Sequence, residues 1–548
     1  MDVKWTVLLV LVCGVAATVE GAAGRHRHRH PTTSFGGAVR NAAEKDPEFW
    51  VRDAQDAIEK REARQSRQRR RADHGFAKNV VMFLGDGMSV PTLAAARTLL
   101  GQRQGATGEE AQLSFEGFPT VGLVKTYCLD GQVADSACTA TAYLAGVKNN
   151  DGTIGVSGHV PRYDCPASTD AATHVESIAD WALADGRDAG VVTTTRVTHA
   201  SPAGAYAKVA NRYWENDSEL ALDGYSVAQC PDIAQQLVHQ HPGNKFKVIL
   251  GGGRRHFIAN GTFDEEGTAG RRIDGRNLIE EWQKDKSNRN VTYKYVWHRS
   301  QLMEAAEDMP EYLLGLFEGS HMQYHMQGDP LSEPTLAELT EVAIKSLSRN
   351  EKGFFLFVEG GRIDHAHHDN WVEHALDETI ELSKAVTRAL ELLPEEDTLI
   401  VVTADHGHVM AFNGYSERGS DILGPAGYPD EHGVPYMTLS YTNGPGARAQ
   451  VDGVRVDPTT DDDYRELEWR AHADVPLISE THGGDDVPVF ALGPHHDLFT
   501  GLFEQSRIPH LMAYAACIGP GHHVCNAATL PSRRYSPSSS PRRVSAHP

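Results

Sequence analysis

The stretch FFLFVEGGRIDHAHHDNW, residues 354–371, runs from an unbroken apolar segment through two glycines into two aspartates and three histidines. An apolar run without polar alternation reads as a strand buried on both faces, and the abrupt polar turn marks where such a strand ends. The crowd from Asp364 to Asp369 holds more carboxylate and imidazole groups than a solvated face needs. The same grammar recurs in NVVMFLGDG, AGVVTTTRVTHASP, FKVILGGGRR and TLIVVTADHGH. Between these runs, PTLAAARTLL (with Pro91 placed to open a helix), DAATHVESIADWALADG and VEHALDETIELSKAVTRALELLP read as helices. Alternation of strand, loop and helix predicts an α/β fold, a three-layer αβα sandwich around a large, mostly parallel sheet. Ligands of such sheets bind beyond the carboxyl ends of the strands.

The rest of the 548 residues divides by composition. MDVKWTVLLVLVCGVAATVEGAAG has a lysine near its start, an apolar run and small residues at Ala17 and Ala23, so residues 1–23 read as a secretory signal peptide rather than a membrane anchor. Residues 24–44, with RHRHRHP, read as a disordered linker rather than a metal-binding tract. Residues 45–75 form a charged N-terminal segment, helical from Pro47 to about Arg71. Its arginine run ending at Arg71 is either a convertase target or a solvated helix end. The main domain is 76–526; within it, 413–479 breaks the grammar with Gly/Pro-rich and acidic stretches and reads as an inserted subdomain. The tail 527–548 is Ser/Pro/Arg-rich, reads as disordered and lacks a terminal apolar stretch.

A formal charge of -22 argues against nucleic acid as a partner, because phosphate backbones need a positive surface. A phosphate-handling site on such a chain would need local positive charge, which bound cations supply. Removing Cys13 with the signal leaves Cys128, Cys138, Cys165, Cys230, Cys517 and Cys525, an even set that suits disulfides in an exported chain. Sequons at Asn216, Asn260 and Asn290 fit the same route.

Asp86 lies in FLGDGM, where glycines let a strand end turn sharply; alone it would be an ordinary turn aspartate. Adjacent Asp405 and His406 leave an apolar run together and offer oxygen and nitrogen ligands suited to zinc. Asp364 and His368 are spaced i, i+4, one face of a helix, and His482 in ETHGGDDV completes that set. Ser136, in VADSACTATAYLAG, stands where a loop enters a small-residue helix, whose amides favour an anion. Serine there is usually a cap, and GxSxG is absent, so activation by a metal is the route that makes it a nucleophile.

FLGDGM, VADSACTATAYLAGVK, HASPAGAYAKVANRYW, ILGGGRR, LFVEGGRIDHAHH, VTADHGHV and THGGDDV stand in the order and approximate spacing of the animal alkaline phosphatases. The chain resembles them over roughly residues 45–526, and DSACTATAY with KTYC looks most like insect forms. That resemblance implies one zinc ion held by Asp364, His368 and His482 and a second by Asp86, Asp405 and His406. It implies magnesium held by Asp86, Ser201 and Glu359, with His199 behind it and His365 near the phosphate. Arg212 would grip two phosphate oxygens. Ser136 would attack phosphorus in line and form a phosphoserine, which a zinc-activated water then hydrolyses. A calcium site is implied at Glu266, the Phe317 carbonyl, Glu318 and Glu333. Position 333 departs from the family's Asp, and Glu265 is the alternative to Glu266. Cys165–Cys230 and Cys517–Cys525 match the family's disulfides; Cys128 and Cys138 are left either paired beside the nucleophile or as free thiols.

The activity so implied is hydrolysis of phosphate monoesters by a secreted or cell-surface homodimer. Membrane association would come through an anchor that this C-terminus does not encode. A diesterase or sulfatase is disfavoured, because Arg212 with magnesium favours a dianionic monoester and no sulfatase-type Cys-x-Pro-x-Arg motif is present. A catalytically inactive, receptor-like or metal-binding surface glycoprotein is the rival of a different class, and the complete ligand set counts against it.

Overall fold

Four runs read as strands, Asn79–Gly85 (β1), Asp188–Arg196 (β3), Phe354–Gly360 (β7) and Thr398–Ala404 (β8), lie side by side at the centre of one ten-stranded sheet. The structure is a computed structural model that describes residues 75–522. The signal peptide, the His/Arg linker, the arginine run at Arg71, Cys525 and the tail lie outside the described residues. Every residue of β1, β7 and β8 is buried, which is why their sequences lack polar alternation. Thr120–Lys125 (β2), Val248–Gly252 (β4), Tyr293–Val296 (β5), Tyr312–Leu316 (β6), Val487–Leu492 (β14) and Gly501–Glu504 (β15) complete the order β15-β2-β14-β8-β1-β7-β3-β4-β6-β5. β14 alone runs against its neighbours β2 and β8, so the expected mostly parallel sheet is what forms.

Two sets of helices cover the sheet. Val90–Arg103, Leu336–Leu347 and Val372–Leu392 pack on one another and on β1, β3 and β7. Ser136–Ala145, Ile178–Ala184 and Ile508–Ala516 form the other set, against β1, β3, β7 and β8. The helix expected across DAATHVESIADWALADG is shorter than its composition suggests. Asp170 caps a single turn, Ala171–Thr173, and the helix begins only at Ile178, where Ser177 and Asp180 form a reciprocal capping box. A separate three-stranded sheet joins Met410–Phe412 (β10), Leu439–Gly444 (β11) and Ala473–Pro476 (β12). Gly407–His408 (β9) pairs with His482–Gly483 (β13).

Cys128–Cys138 and Cys165–Cys230 are disulfides, and Cys517 is disulfide-bonded, its expected partner being outside the described residues. Asn260 and Asn290 are exposed, whereas Asn216 is fully buried. The Asn216 carbonyl oxygen caps Ser218 and its amide nitrogen bonds His256, so the folded chain leaves no room for a sugar there.

Candidate active site

Sheet order brings the acids together. β8, β1, β7 and β3 are consecutive neighbours, and the chain beyond each carboxyl end supplies a functional group. Asp86 follows β1, Asp405 and His406 follow β8, His199 and Ser201 follow β3, and Glu359 is the penultimate residue of β7. Past β7 the chain enters the helix Arg362–His368, which sets Asp364 and His368 one turn apart as their spacing predicts. His482 arrives from far along the chain on β13, whose pairing with β9 sets it beside His408.

Asp364 Oδ1 lies 3.4 Å from Nε2 of both His368 and His482, and those two nitrogens are 3.1 Å apart. His368 donates its Nδ1–H to the Glu480 carbonyl at 2.5 Å, and His482 donates its own to the Ala134 carbonyl at 2.7 Å. Both Nε2 lone pairs therefore face the Asp364 oxygen and each other, the arrangement a shared cation requires. A fourth residue, His408, escaped the sequence reading. It bridges Asp364 Oδ1 (2.7 Å from Nε2) and Glu480 Oε2 (2.5 Å from Nδ1), wholly buried. Burial pulls the His408 pKa down, yet the charge of Glu480 and the bond to Asp364 outweigh it and hold it up at about 10.

Next to this cluster, Asp86 has both carboxylate oxygens buried without a hydrogen-bond partner. Burial first, then the nearby charges of Asp405, Asp364 and Glu359, raise its pKa well above the usual carboxylate range. Asp405 Oδ1 accepts from the backbone amides of Gly87 and His406, each at 2.9 Å, leaving Oδ2 without a hydrogen bond and 3.0 Å from His406 Nε2. His406 Nε2 also lies 3.2 Å from the Ser136 hydroxyl and 3.6 Å from Asp86 Oδ1.

On the other side of Asp86, Glu359 Oε2 is bonded by the hydroxyls of Thr193 and Thr195, while Oε1 and the Ser201 hydroxyl are buried and unpartnered. Burial pushes the Glu359 carboxyl up to about 7. Burial, with Arg212 and Arg196 close by, holds His199 down at about 3, a neutral imidazole.

Ser136 opens the helix Ser136–Ala145, capped by Asp135, whose Oδ1 accepts from the Cys138 amide at 3.1 Å. The other oxygen of Asp135 holds Arg212 Nη1 at 3.0 Å, and Arg212 Nη2 lies 3.2 Å from His199 Nε2. The guanidinium is thus oriented from two sides beside the serine. His365 stacks edge-on to His199 and His321, with Arg362 Nη1 2.9 Å from its Nδ1. His367 bonds Thr92 and Tyr441 through its two nitrogens and is structural. At the calcium expectation, burial, with Glu318 and Glu266 among the nearby charges, pushes the Glu333 carboxyl up to about 8, while Glu266 is ion-paired with Arg254.

Comparison with known proteins agrees with this geometry. The family model described as alkaline phosphatase matches residues 77–518. The chain is 64% identical to the membrane-bound alkaline phosphatase of Bombyx mori, over 92% of each chain. It is 46% identical to the tissue-nonspecific alkaline phosphatase of Gallus gallus, over 89% of this chain and 93% of that one. Among solved structures, the alkaline phosphatase of the Antarctic bacterium TAB5 superposes with a TM-score of 0.56 at 20% identity, covering 81% of this chain and 99% of that one. The Thermus thermophilus enzyme superposes at 0.57 and 21% identity, over 82% and 96%. The strand order, the buried ligand cluster and a match across nearly the whole chain lead to one conclusion: this protein belongs to the alkaline phosphatase family and is a phosphomonoesterase.

Proposed function

We propose that the chain hydrolyses phosphate monoesters through a phosphoserine on Ser136, in a site that takes two zinc ions and one magnesium. The observation that carries this reading is the set of buried oxygens without partners: both of Asp86, one each of Asp405 and Glu359, and the Ser201 hydroxyl. Unpaired buried carboxylates cost free energy unless a cation meets them. Asp364, His368 and His482 suit one zinc ion, and Asp86, Asp405 and His406 a second; the all-oxygen set of Asp86, Ser201 and Glu359 suits magnesium. When bound, these cations supply the positive charge that lowers the proton affinity of serine and water and steadies the departing oxygen.

The chain's own groups do the rest. Asp135 fixes Ser136 at the helix start and aims Arg212, whose remaining N–H groups face the phosphoryl oxygens of a substrate bound over the serine. The Ser136 hydroxyl attacks phosphorus, the alcohol leaves, and a water hydrolyses the phosphoserine from the same side, giving net retention. Glu266, Glu318, Glu333 and the Phe317 carbonyl are the proposed calcium ligands, supported by the burial that raises the Glu318 and Glu333 carboxyls. Export to the cell exterior is supported by the two disulfides. The Bombyx mori relative is named membrane-bound, and no described helix is long and apolar enough to cross a membrane. A homodimer follows from the resemblance alone.

Ser136→Ala tests the reading. Hydrolysis of p-nitrophenyl phosphate should fall by three orders of magnitude or more, roughly what removal of a covalent nucleophile costs. Acid quenching of wild type with labelled substrate should leave label on Ser136. Full activity in Ser136→Ala would sink the proposal.

A further inference from the structure

The Cys128–Cys138 disulfide closes a loop that carries three parts of the site. The Ala134 carbonyl holds His482, Asp135 holds Arg212 and caps the helix, and Ser136 begins that helix. Beyond these, the loop is tied near its start, where the Leu129 amide donates to the Asn149 carbonyl at 3.0 Å and Asp130 accepts from the Asp151 amide at 2.8 Å. Residues 129–135 have no regular structure, and Leu129 and Val133 are 56% and 47% exposed beside an open cleft of about 670 Å³. Cys128 and Cys138 cluster with Ala134 in a small apolar group separate from the main core. Hydrophobic packing therefore does little to hold this loop. The crosslink, spanning ten residues, removes most of the conformations it would otherwise sample.

We propose that the Cys128–Cys138 disulfide is a positioning element of the phosphatase reaction, holding Ala134, Asp135 and Ser136 at one offset so that His482, Arg212 and the nucleophile stay aligned. It acts through Asp135 and the Ala134 carbonyl and touches neither substrate nor cation. Asp135 Oδ1 sits 4.0 Å from the Cys128 sulfur and accepts from both the Cys138 and Gly152 amides, so the carboxylate that orients Arg212 is tied to the backbone of a bridged cysteine, and opening the bridge lets that stretch shift. A dithiol would open it by thiol–disulfide exchange: two electrons and two protons pass to Cys128 and Cys138, and the dithiol ends as its own disulfide. This inference rests on the site assignment proposed above.

The test is a double-mutant cycle read in phosphate binding, not turnover. Equilibrium dialysis of labelled inorganic phosphate is run on zinc- and magnesium-loaded wild type, Cys128→Ala/Cys138→Ala, Asp135→Asn and the combination. The cysteine pair should weaken phosphate binding roughly tenfold, the order expected for misplacing an oriented group. Adding Asp135→Asn to it should cost much less than Asp135→Asn costs in wild type. A Cys165→Ala/Cys230→Ala control should lower the melting temperature and leave phosphate affinity unchanged. Unchanged affinity in the first variant, additive losses, or an equal loss in the control would each overturn the proposal. If the variant does not fold, the same dialysis is run on dithiol-reduced wild type, alkylated and mapped by mass spectrometry to Cys128 and Cys138. Failure of the phosphoserine reading would show separately, as activity retained by Ser136→Ala.

Discussion

At the level of single residues, the candidate ligands that sequence could supply were those adjacent to a recognisable strand end: Asp86, Glu359, Asp364, Asp405 and His406. His408 and Glu480 were out of reach, because their pairing spans 72 positions and neither neighbours the other in any motif. A histidine two residues past an Asp-His pair on a strand, pointing to the same side as His406, was the one available signal. Their buried bridge orients Asp364, so Glu480→Gln should weaken zinc retention by about 10- to 100-fold, the usual cost of removing a partner behind a metal ligand. Competition against a zinc chelator measures it, and unaltered retention would refute it. A second residue sets a pH dependence away from the metals. Burial, then the charge of Glu215, pushes the Glu219 carboxyl up to about 7. A carboxyl raised in the folded state stabilises below its unfolded pKa, about 4.3, and that contribution is lost as pH rises to about 7. Glu219→Gln should therefore raise the melting temperature at pH 9, by on the order of 2 °C, and change little at pH 5. Scanning calorimetry at the two pH values decides between this and a uniform shift.

Elements were legible where one period ruled them throughout. β1, β3, β4, β7 and β8 stand in the sequence as apolar runs, and the long helix Val372–Leu392 as an amphipathic one. β2, with alternating buried and exposed positions, and β14, which runs backwards through the sheet, carry no such unbroken run ending in a polar loop. The 413–479 stretch was marked only by its broken grammar; the small sheet there joins strands whose pairing is set over long separations. The turn after β1 shows how tightly two elements can meet. Gly87 has φ +68°, donates its amide to Asp405, and has no room for a side chain, because an added Cβ would collide with the His408 ring. Gly87→Ala should fold less stably and lose zinc at least tenfold more readily, measured by metal content after gel filtration; full occupancy would count against the role given to His408.

Across the whole molecule, the acids that make the site also strain the fold that holds it. Asp86, Asp405 and Glu359 are all buried with raised pKa values, so the metal-free protein holds them together at a cost. Chelating the metals should lower the melting temperature well beyond what ionic strength explains. A single cation at a hundredfold excess over its dissociation constant contributes about 2.7 kcal/mol, and each of the three proposed sites adds its own contribution. Calorimetry with zinc and magnesium against a chelator gives the difference, and coincident transitions would remove the metals from this account.

The neighbouring order β8-β1-β7-β3, closed by β13, has a consequence for how the chain is made. The proposed zinc ligands run from Asp86 to His482, so one proposed set is complete only once the chain has been made past His406, and the other only once it has passed His482. Capture at Asp364, His368 and His482 must wait until β13 has paired with β9, and long-range assembly of this kind is slow. Zinc uptake at that set would report that the chain has closed from β7 to β13, and a cell that discards copies lacking it would be discarding the misassembled ones.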